Sequence, residues 1–194
     1  MYHVLFRDSS FWNFLFEVDE ERAANRQKQG CSCGGRLHSA KYPRKPRGGC
    51  ENLPASYSYR LSFCCDRDGC RKRATPRSVR FLGRKVFLGA VVVVVAAMRQ
   101  GPSPRRVREL SRLFDADRRT IERWRVFWDE HFPQTPFWKA NRGQLVLKVD
   151  IAHLPRALLE AFIHRADCRK DWQRLLEFIA PITITGGLGS KGIF

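Results

Sequence analysis

The chain has 194 residues, 43% of them hydrophobic and 28% charged, with a formal net charge of +17. That length holds one medium domain or two small ones, and that apolar content builds a packed core, which excludes a disordered tail. A charge this large opposes compaction unless a polyanion offsets it, so nucleic acid is the expected partner.

The first predicted element is a helix over residues 9–28, within an N-terminal segment 1–29. Ser9 or Ser10 is the expected cap, and Phe11, Leu15 and Val18 mark one apolar face, widened by Trp12 and Phe14. Asp19, Glu20 and Glu21 read as a solvated face. The start of the chain lacks the basic residues and smooth apolar run of a secretory signal. Residues 1–21 hold one Arg and five acids, whereas residues 22–85 sum to +14.

Residues 30–85 read as a small zinc ribbon with basic loops. Two short strands are expected, over residues 36–42 and 57–63, the second alternating as Tyr-Ser-Tyr-Arg-Leu-Ser-Phe. Pro43, Pro46, Gly48 and Gly49 mark a loop between them. Seven cysteines is an odd number, and their local clustering suits metal binding in a reducing cytosol better than a disulfide framework. The expected ligands are Cys31, Cys33, Cys65 and Cys70, two pairs on tight turns beside strands, giving four thiolates around a structural zinc ion. Gly34 and Gly35 suit a knuckle whose backbone turns amides toward sulfur. Cys64 points the opposite way from Cys65 on a strand, and Cys65 is preferred. Cys64, Cys50 and His38 remain possible substitutes, and Cys168 is expected in the core. No Cys/His/acid order supports a catalytic cysteine, and four thiolates leave no open position for water.

Two basic stretches flank these cysteines. Lys41, Arg44, Lys45 and Arg47 form the first, kept extended by prolines; Arg71, Lys72, Arg73, Arg77 and Arg80 form the second. Arg44, Lys45, Arg47, Arg71, Lys72, Arg73 and Arg77 are expected to follow a phosphate backbone or enter a minor groove.

Residues 86–138 read as three helices forming a helix-turn-helix domain. The apolar run at 86–98 is too short to span a bilayer and is flanked by Arg84, Lys85 and Arg99, so a core helix is expected and no membrane partner. Ser103-Pro104 starts the next helix, with Val107, Leu110 and Phe114 on one face. Asp117 caps the third, in which Ile121, Trp124 and Trp128 form a core stripe and Arg119, Glu122, Arg123 and Val126 lie opposite. Arg118 and Arg119 occupy the first turn, where the helix dipole favours anions and a phosphate or guanine edge would compensate. Arg119 and Arg123 are therefore assigned to base or phosphate contact, Arg118 to phosphate and Glu122 to a cytosine amino group.

Residues 139–194 form a tail with helices expected at 154–166 and 168–179 and a Gly-rich end. These helices either dock a partner or pack on the helix-turn-helix domain. The resulting fold class is α+β, mainly α: a small zinc-ribbon hairpin followed by a helical domain.

Over residues 11–138 the order of motifs resembles bacterial mobile-element or transposase-type proteins with a zinc ribbon and a helix-turn-helix. The motifs are Cys31-Ser-Cys33-Gly-Gly-Arg-Leu-His38, Tyr42-Pro-Arg-Lys-Pro-Arg-Gly48, the Cys64-Cys65 to Cys70 knuckle running into Arg71-Lys-Arg73, and Arg118-Arg-Thr-Ile-Glu-Arg-Trp-Arg125. The resemblance implies binding to duplex DNA at element ends or a regulatory site. A transposase also needs three spaced acids on a nuclease fold, and Asp150 stands alone among apolar residues. The expectation is an accessory or regulatory factor, cytoplasmic and nucleoid-associated, not itself an enzyme, with any catalysis supplied by a partner protein. Two alternatives are an RNA-binding subunit of a ribonucleoprotein, with Tyr57 or Tyr59 stacking on single strands, and a DNA-processing enzyme fragment, a transposase or nuclease.

Overall fold

A computed structural model of the chain describes residues 5–46, 48–49, 53–82, 87–97, 104–114, 116–145, 149–165 and 168–183. It is mainly helical with small antiparallel sheets, as the hydrophobic periodicities predict.

Helix α1 spans Ser9–Lys28. Its cap is Asp8 rather than Ser9 or Ser10: the Asp8 carboxylate accepts from the Ser10 N–H at 2.9 Å and from its hydroxyl at 2.5 Å. Phe11, Trp12, Leu15 and Val18 are buried, and Phe14 is half-buried. Asp19 corrects the sequence reading. It is 3% exposed, because its side chain meets a partner segment some sixty residues further on. Glu20 and Glu21 remain in solvent.

Five short strands follow: β1 Leu37–Ser39, β2 Tyr42–Pro43, β3 Tyr59–Arg60, β4 Phe63–Cys65 and β5 Arg73–Ala74. They form a three-stranded sheet in the order β1-β4-β5 and a two-stranded one, β2-β3. The register pairs Leu37 with Cys65 and Phe63 with Ala74. The two long strands expected from the sequence are thus each divided. Residues 55–58 form a turn of 3-10 helix instead of the start of a strand. Tyr57 is buried there, with its hydroxyl donating to the Trp12 carbonyl at 2.9 Å, so it is not a stacking platform.

The connector after β5 enters the core. Strands β6 (Phe81–Leu82) and β7 (Phe87–Leu88) pair antiparallel and lead into α2, Gly89–Ala96. Val91, Val92, Val93 and Val95 of α2 are at most 1% exposed. A helix apolar on every side must be surrounded, and this one packs against α4 (Arg118–Val126), α6 (Arg156–Phe162) and α7 (Arg169–Ile179). Helices α3 (Pro104–Phe114) and α5 (Pro136–Asn141) complete the body. The side chains of Val107 and Leu110 lie outside the described residues, as does the Gly-rich end.

One large hydrophobic cluster takes residues from α1, Tyr57, β6, β7, α2, α4, α6 and α7. Trp12, Trp124, Trp128, Trp138 and Trp172 are all buried to 1% or less. Edge-on contacts, such as Phe87 to Trp124 at 5.2 Å and Trp12 to Tyr57 at 5.7 Å, fit ring edges to ring faces. The tail helices α6 and α7 supply Leu158, Leu159, Trp172, Leu175 and Leu176 to this core. A second, small cluster of Ala23, Leu37, Leu61, Phe63 and Cys65 underlies the cysteines. No helix among the described residues is long and apolar enough to cross a membrane.

Candidate functional site

The cysteine motifs fold into two facing turns. In the first, the Cys31 N–H donates to the Gly35 carbonyl and the Gly34 N–H to the Cys31 carbonyl, both at 2.9 Å. In the second, the Cys65 N–H donates to the Lys72 carbonyl at 3.0 Å and the Cys70 N–H to the Arg67 carbonyl at 3.1 Å. Gly34 has φ +82°, a conformation that side-chain-bearing residues rarely adopt. Gly35 is required sterically: a Cβ there would lie 2.5 Å from the Cys65 sulfur.

These turns bring Cys31, Cys33, Cys65 and Cys70 together, with every sulfur within 4.8 Å of the others. Cys31 and Cys70 sulfurs are 3.7 Å apart and those of Cys33 and Cys65 are 3.5 Å apart. Those separations are far beyond a disulfide bond of about 2.05 Å. A regular tetrahedron with metal–sulfur bonds of about 2.3 Å has edges of about 3.8 Å, so the four sulfurs are spaced to hold a metal ion.

The electrostatics agree with the spacing. Each sulfur accepts from a main-chain N–H two residues on: Cys33 for Cys31, Gly35 for Cys33, Arg67 for Cys65 and Lys72 for Cys70. The Cys33 amide is the main cause lowering the Cys31 thiol to about 6. At Cys65 the Arg67 amide acts in the same direction, but burial and the three neighbouring thiols push the pKa up to about 12. Four thiols this close cannot all ionise beside one another without a cation among them. The end of α1 braces the site: Arg26 donates to the Gly30 carbonyl at 2.8 Å and Gln27 to the Leu37 carbonyl at 3.0 Å.

The alternates fall elsewhere. Cys64 faces away from the tetrad, its sulfur donating to the Arg71 carbonyl at 3.4 Å. His38 is exposed and meets Asp66 at 3.3 Å. Cys50 lies outside the described residues. Cys168, expected in the core, is half-buried at the start of α7.

Among the basic residues, Arg44 and Arg73 flank one ring, with guanidinium carbons 4.5 and 5.3 Å from the centre of Tyr42. Lys41 stands 4.8 Å over Tyr59. Arg73 is also held to the sheet, donating to the Ala40 carbonyl at 3.1 Å. Arg71 pairs with Asp68 at 2.8 Å, while Lys45, Lys72 and Arg77 are exposed. Arg47 lies outside the described residues. Arg80 corrects the sequence reading of a basic stretch on the surface. It is 1% exposed, donates to Asp19 at 2.7 Å and to the Ser56 carbonyl at 2.7 Å, and lies among the rings of Phe16, Tyr57 and Phe81.

Helix α4 is capped as expected, the Asp117 carboxylate accepting from the Thr120 N–H at 2.7 Å. Ile121, Trp124 and Trp128 are buried, and Arg118, Arg119, Glu122, Arg123 and Val126 are exposed. Arg118 and Glu122 form a surface pair at 2.7 Å, and Arg123 donates to the Thr120 hydroxyl at 3.0 Å. The helix continues through a wider turn at Phe127–His131.

Comparison with protein-family models, curated proteins and solved structures finds no match to the chain.

Proposed function

We propose that this is a zinc-dependent nucleic-acid-binding protein that docks on duplex DNA through the exposed face of α4 and the basic ribbon. In this reading Cys31, Cys33, Cys65 and Cys70 hold the zinc. Thiolates at tetrahedral spacing select it over the harder cations, and four of them close its coordination shell. The ion is structural: it holds the two turns together and so fixes the basic loops beside them. The protein acts in the cytoplasm at the nucleoid, as an accessory or regulatory factor of a bacterial mobile element, and any catalysis comes from a partner protein.

The observation that carries the DNA reading is the division of α4. One side buries Ile121 and Trp124, while the other exposes Arg118, Arg119, Glu122, Arg123 and Val126 together. Guanidinium groups offer paired donors to guanine, a carboxylate accepts from cytosine, and an apolar side chain meets the thymine methyl group. The Arg118–Glu122 pair is solvent-exposed and worth at most about 0.5 kcal/mol, so it yields readily to a nucleic-acid contact.

A second reading, binding of single-stranded RNA, has the ribbon in its favour. Tyr42 and Tyr59 lie beside Arg44, Arg73 and Lys41, and rings beside cations are what stacking and phosphate contact require.

Titration of the zinc-loaded protein against random duplex DNA and structured RNA at two salt concentrations separates the readings. The expected result is preference for duplex with steep salt dependence, and one sequence retained at high salt. Arg119→Ala is expected to relax discrimination at one base pair by about 1–3 kcal/mol. Equal weakening for every sequence would refute base reading by α4, and preference for RNA would favour the second reading.

A further inference from the structure

Arg60, on β3, is 5% exposed, yet its Nε is buried without a hydrogen-bond partner. A guanidinium stays protonated even when buried, and an uncompensated buried charge is strongly unfavourable. The nearby acid is Asp19, whose carboxylate is committed elsewhere. One oxygen accepts from the Val79 N–H at 2.7 Å; the other accepts from the Ser78 hydroxyl at 2.6 Å and from Arg80 Nε at 2.7 Å. Arg60 and Arg80 thus share one carboxylate, and Arg80 holds it. Burial pulls the Arg60 pKa down; Tyr42 and the Asp19 carboxylate oppose that shift, and the positive charges of Arg80 and Arg44 add to it.

Arg60 also lines a crevice. Its walls are Arg60 and Leu61, the segment Pro76–Arg77–Ser78, and the Asp19–Arg80 pair, packed so closely that no water-sized space lies between them. Arg77 is exposed at the rim, between the buried Pro76 and Ser78. We propose that this crevice is a binding site for one phosphate group, with Arg60 as the inner donor and Arg77 closing over it from the rim. A phosphate oxygen supplies the acceptor that Arg60 Nε lacks, and its charge offsets the surplus cation. Planar guanidinium donors suit phosphate better than an ammonium would. In the present conformation the walls stand too close to enclose an anion, so entry requires Arg77 to swing outward and then return as a second donor.

The phosphate could belong to a nucleic-acid backbone or to a small phosphorylated molecule. The site does not depend on base reading by α4, and inorganic phosphate as the first probe keeps the two questions apart. The experiment is thermal unfolding of the zinc-loaded full chain in sodium phosphate against sodium chloride at matched ionic strength, with Arg77→Ala and Arg60→Met. Phosphate is expected to raise Tm saturably above the chloride control. Arg77→Ala, an exposed change, is expected to weaken the phosphate response about tenfold in concentration. Arg60→Met is expected to abolish that response without lowering Tm in chloride, because it removes a buried Nε donor that makes no hydrogen bond. A phosphate response no larger than that of chloride overturns the proposal, as does a full response in Arg60→Met. If the site binds phosphate, a duplex titration of Arg60→Met, a change at a buried residue, identifies the source: weaker duplex binding assigns it to the backbone, and unchanged duplex binding assigns it to a small phosphorylated ligand.

Discussion

The buried pair of Asp19 and Arg80 ties α1 to the segment between β5 and β6, and its removal has a calculable cost. Asp19 lies on α1, and its carboxylate accepts three bonds of 2.6–2.7 Å from Ser78, Val79 and Arg80. Asp19→Ala leaves the Arg80 guanidinium, itself 1% exposed, facing three aromatic rings and one carbonyl. Breaking a buried pair from one side costs about 3–5 kcal/mol. Each kcal/mol lowers Tm by roughly 2–4 °C in a chain of this size, so a fall on the order of 10 °C is expected. The double variant Asp19→Leu with Arg80→Met removes both charges and is expected to recover at least half of the loss. The assay is a double-mutant cycle, Asp19→Leu and Arg80→Met singly and together, followed by circular dichroism during thermal and urea unfolding. A cost below about 1 kcal/mol for Asp19→Ala would mean that the pair behaves like an exposed one. A double variant that loses the sum of its single variants would show that the two charges do not interact. Either result refutes the reasoning.

Three further outcomes follow from the same geometry. Cys65→Ser is expected to abolish stoichiometric zinc binding, measured by metal analysis after gel filtration, while Cys64→Ser retains one zinc per chain; equal loss in both would overturn the choice of ligands. Gly35→Ala is expected to weaken zinc binding at least tenfold in chelator competition, because its Cβ would stand 2.5 Å from the Cys65 sulfur; unchanged affinity would mean that the turn yields at little cost. The third concerns Asp171 on α7. Burial alone would raise its pKa, but hydrogen bonds from Arg174 and from the Arg165 and His164 amides hold it down at about 2, below the ordinary 3.8. A depressed carboxyl stabilises the fold above its unfolded pKa. About 2 kcal/mol is therefore present near neutrality and lost as pH falls from about 4 through about 2. Asp171→Asn should flatten that part of the stability–pH curve, and an unchanged curve would count against the assignment.

Much of the architecture is legible in the order of residue types. The apolar spacing along residues 9–28, the continuous apolar run at 86–98 and the stripe of Ile121, Trp124 and Trp128 are local patterns, and helix formation follows local patterns. The cysteine tetrad is legible because thiol spacing and the glycines beside it reflect the chemistry of a metal knuckle. Alternation along a strand even separates Cys65 from Cys64. What failed was the reading of isolated charges. Asp19 sits between Val18 and Glu20 with nothing to distinguish it from its solvated neighbours, and Arg80 resembles every other arginine in a basic run.

Composition, periodicity and cysteine spacing by themselves determine a mainly helical protein with a four-thiol centre and a strongly basic middle, because each depends on residues close in sequence. Only the tertiary structure decides which charges are buried, since burial depends on what a distant segment brings. Ser78–Arg80 meets Asp19 about sixty residues away, and that meeting draws one acid out of solvent into the core. It also leaves the Arg60 Nε without a hydrogen-bond partner at the edge of the crevice, because the Asp19 carboxylate is bound to Ser78, Val79 and Arg80.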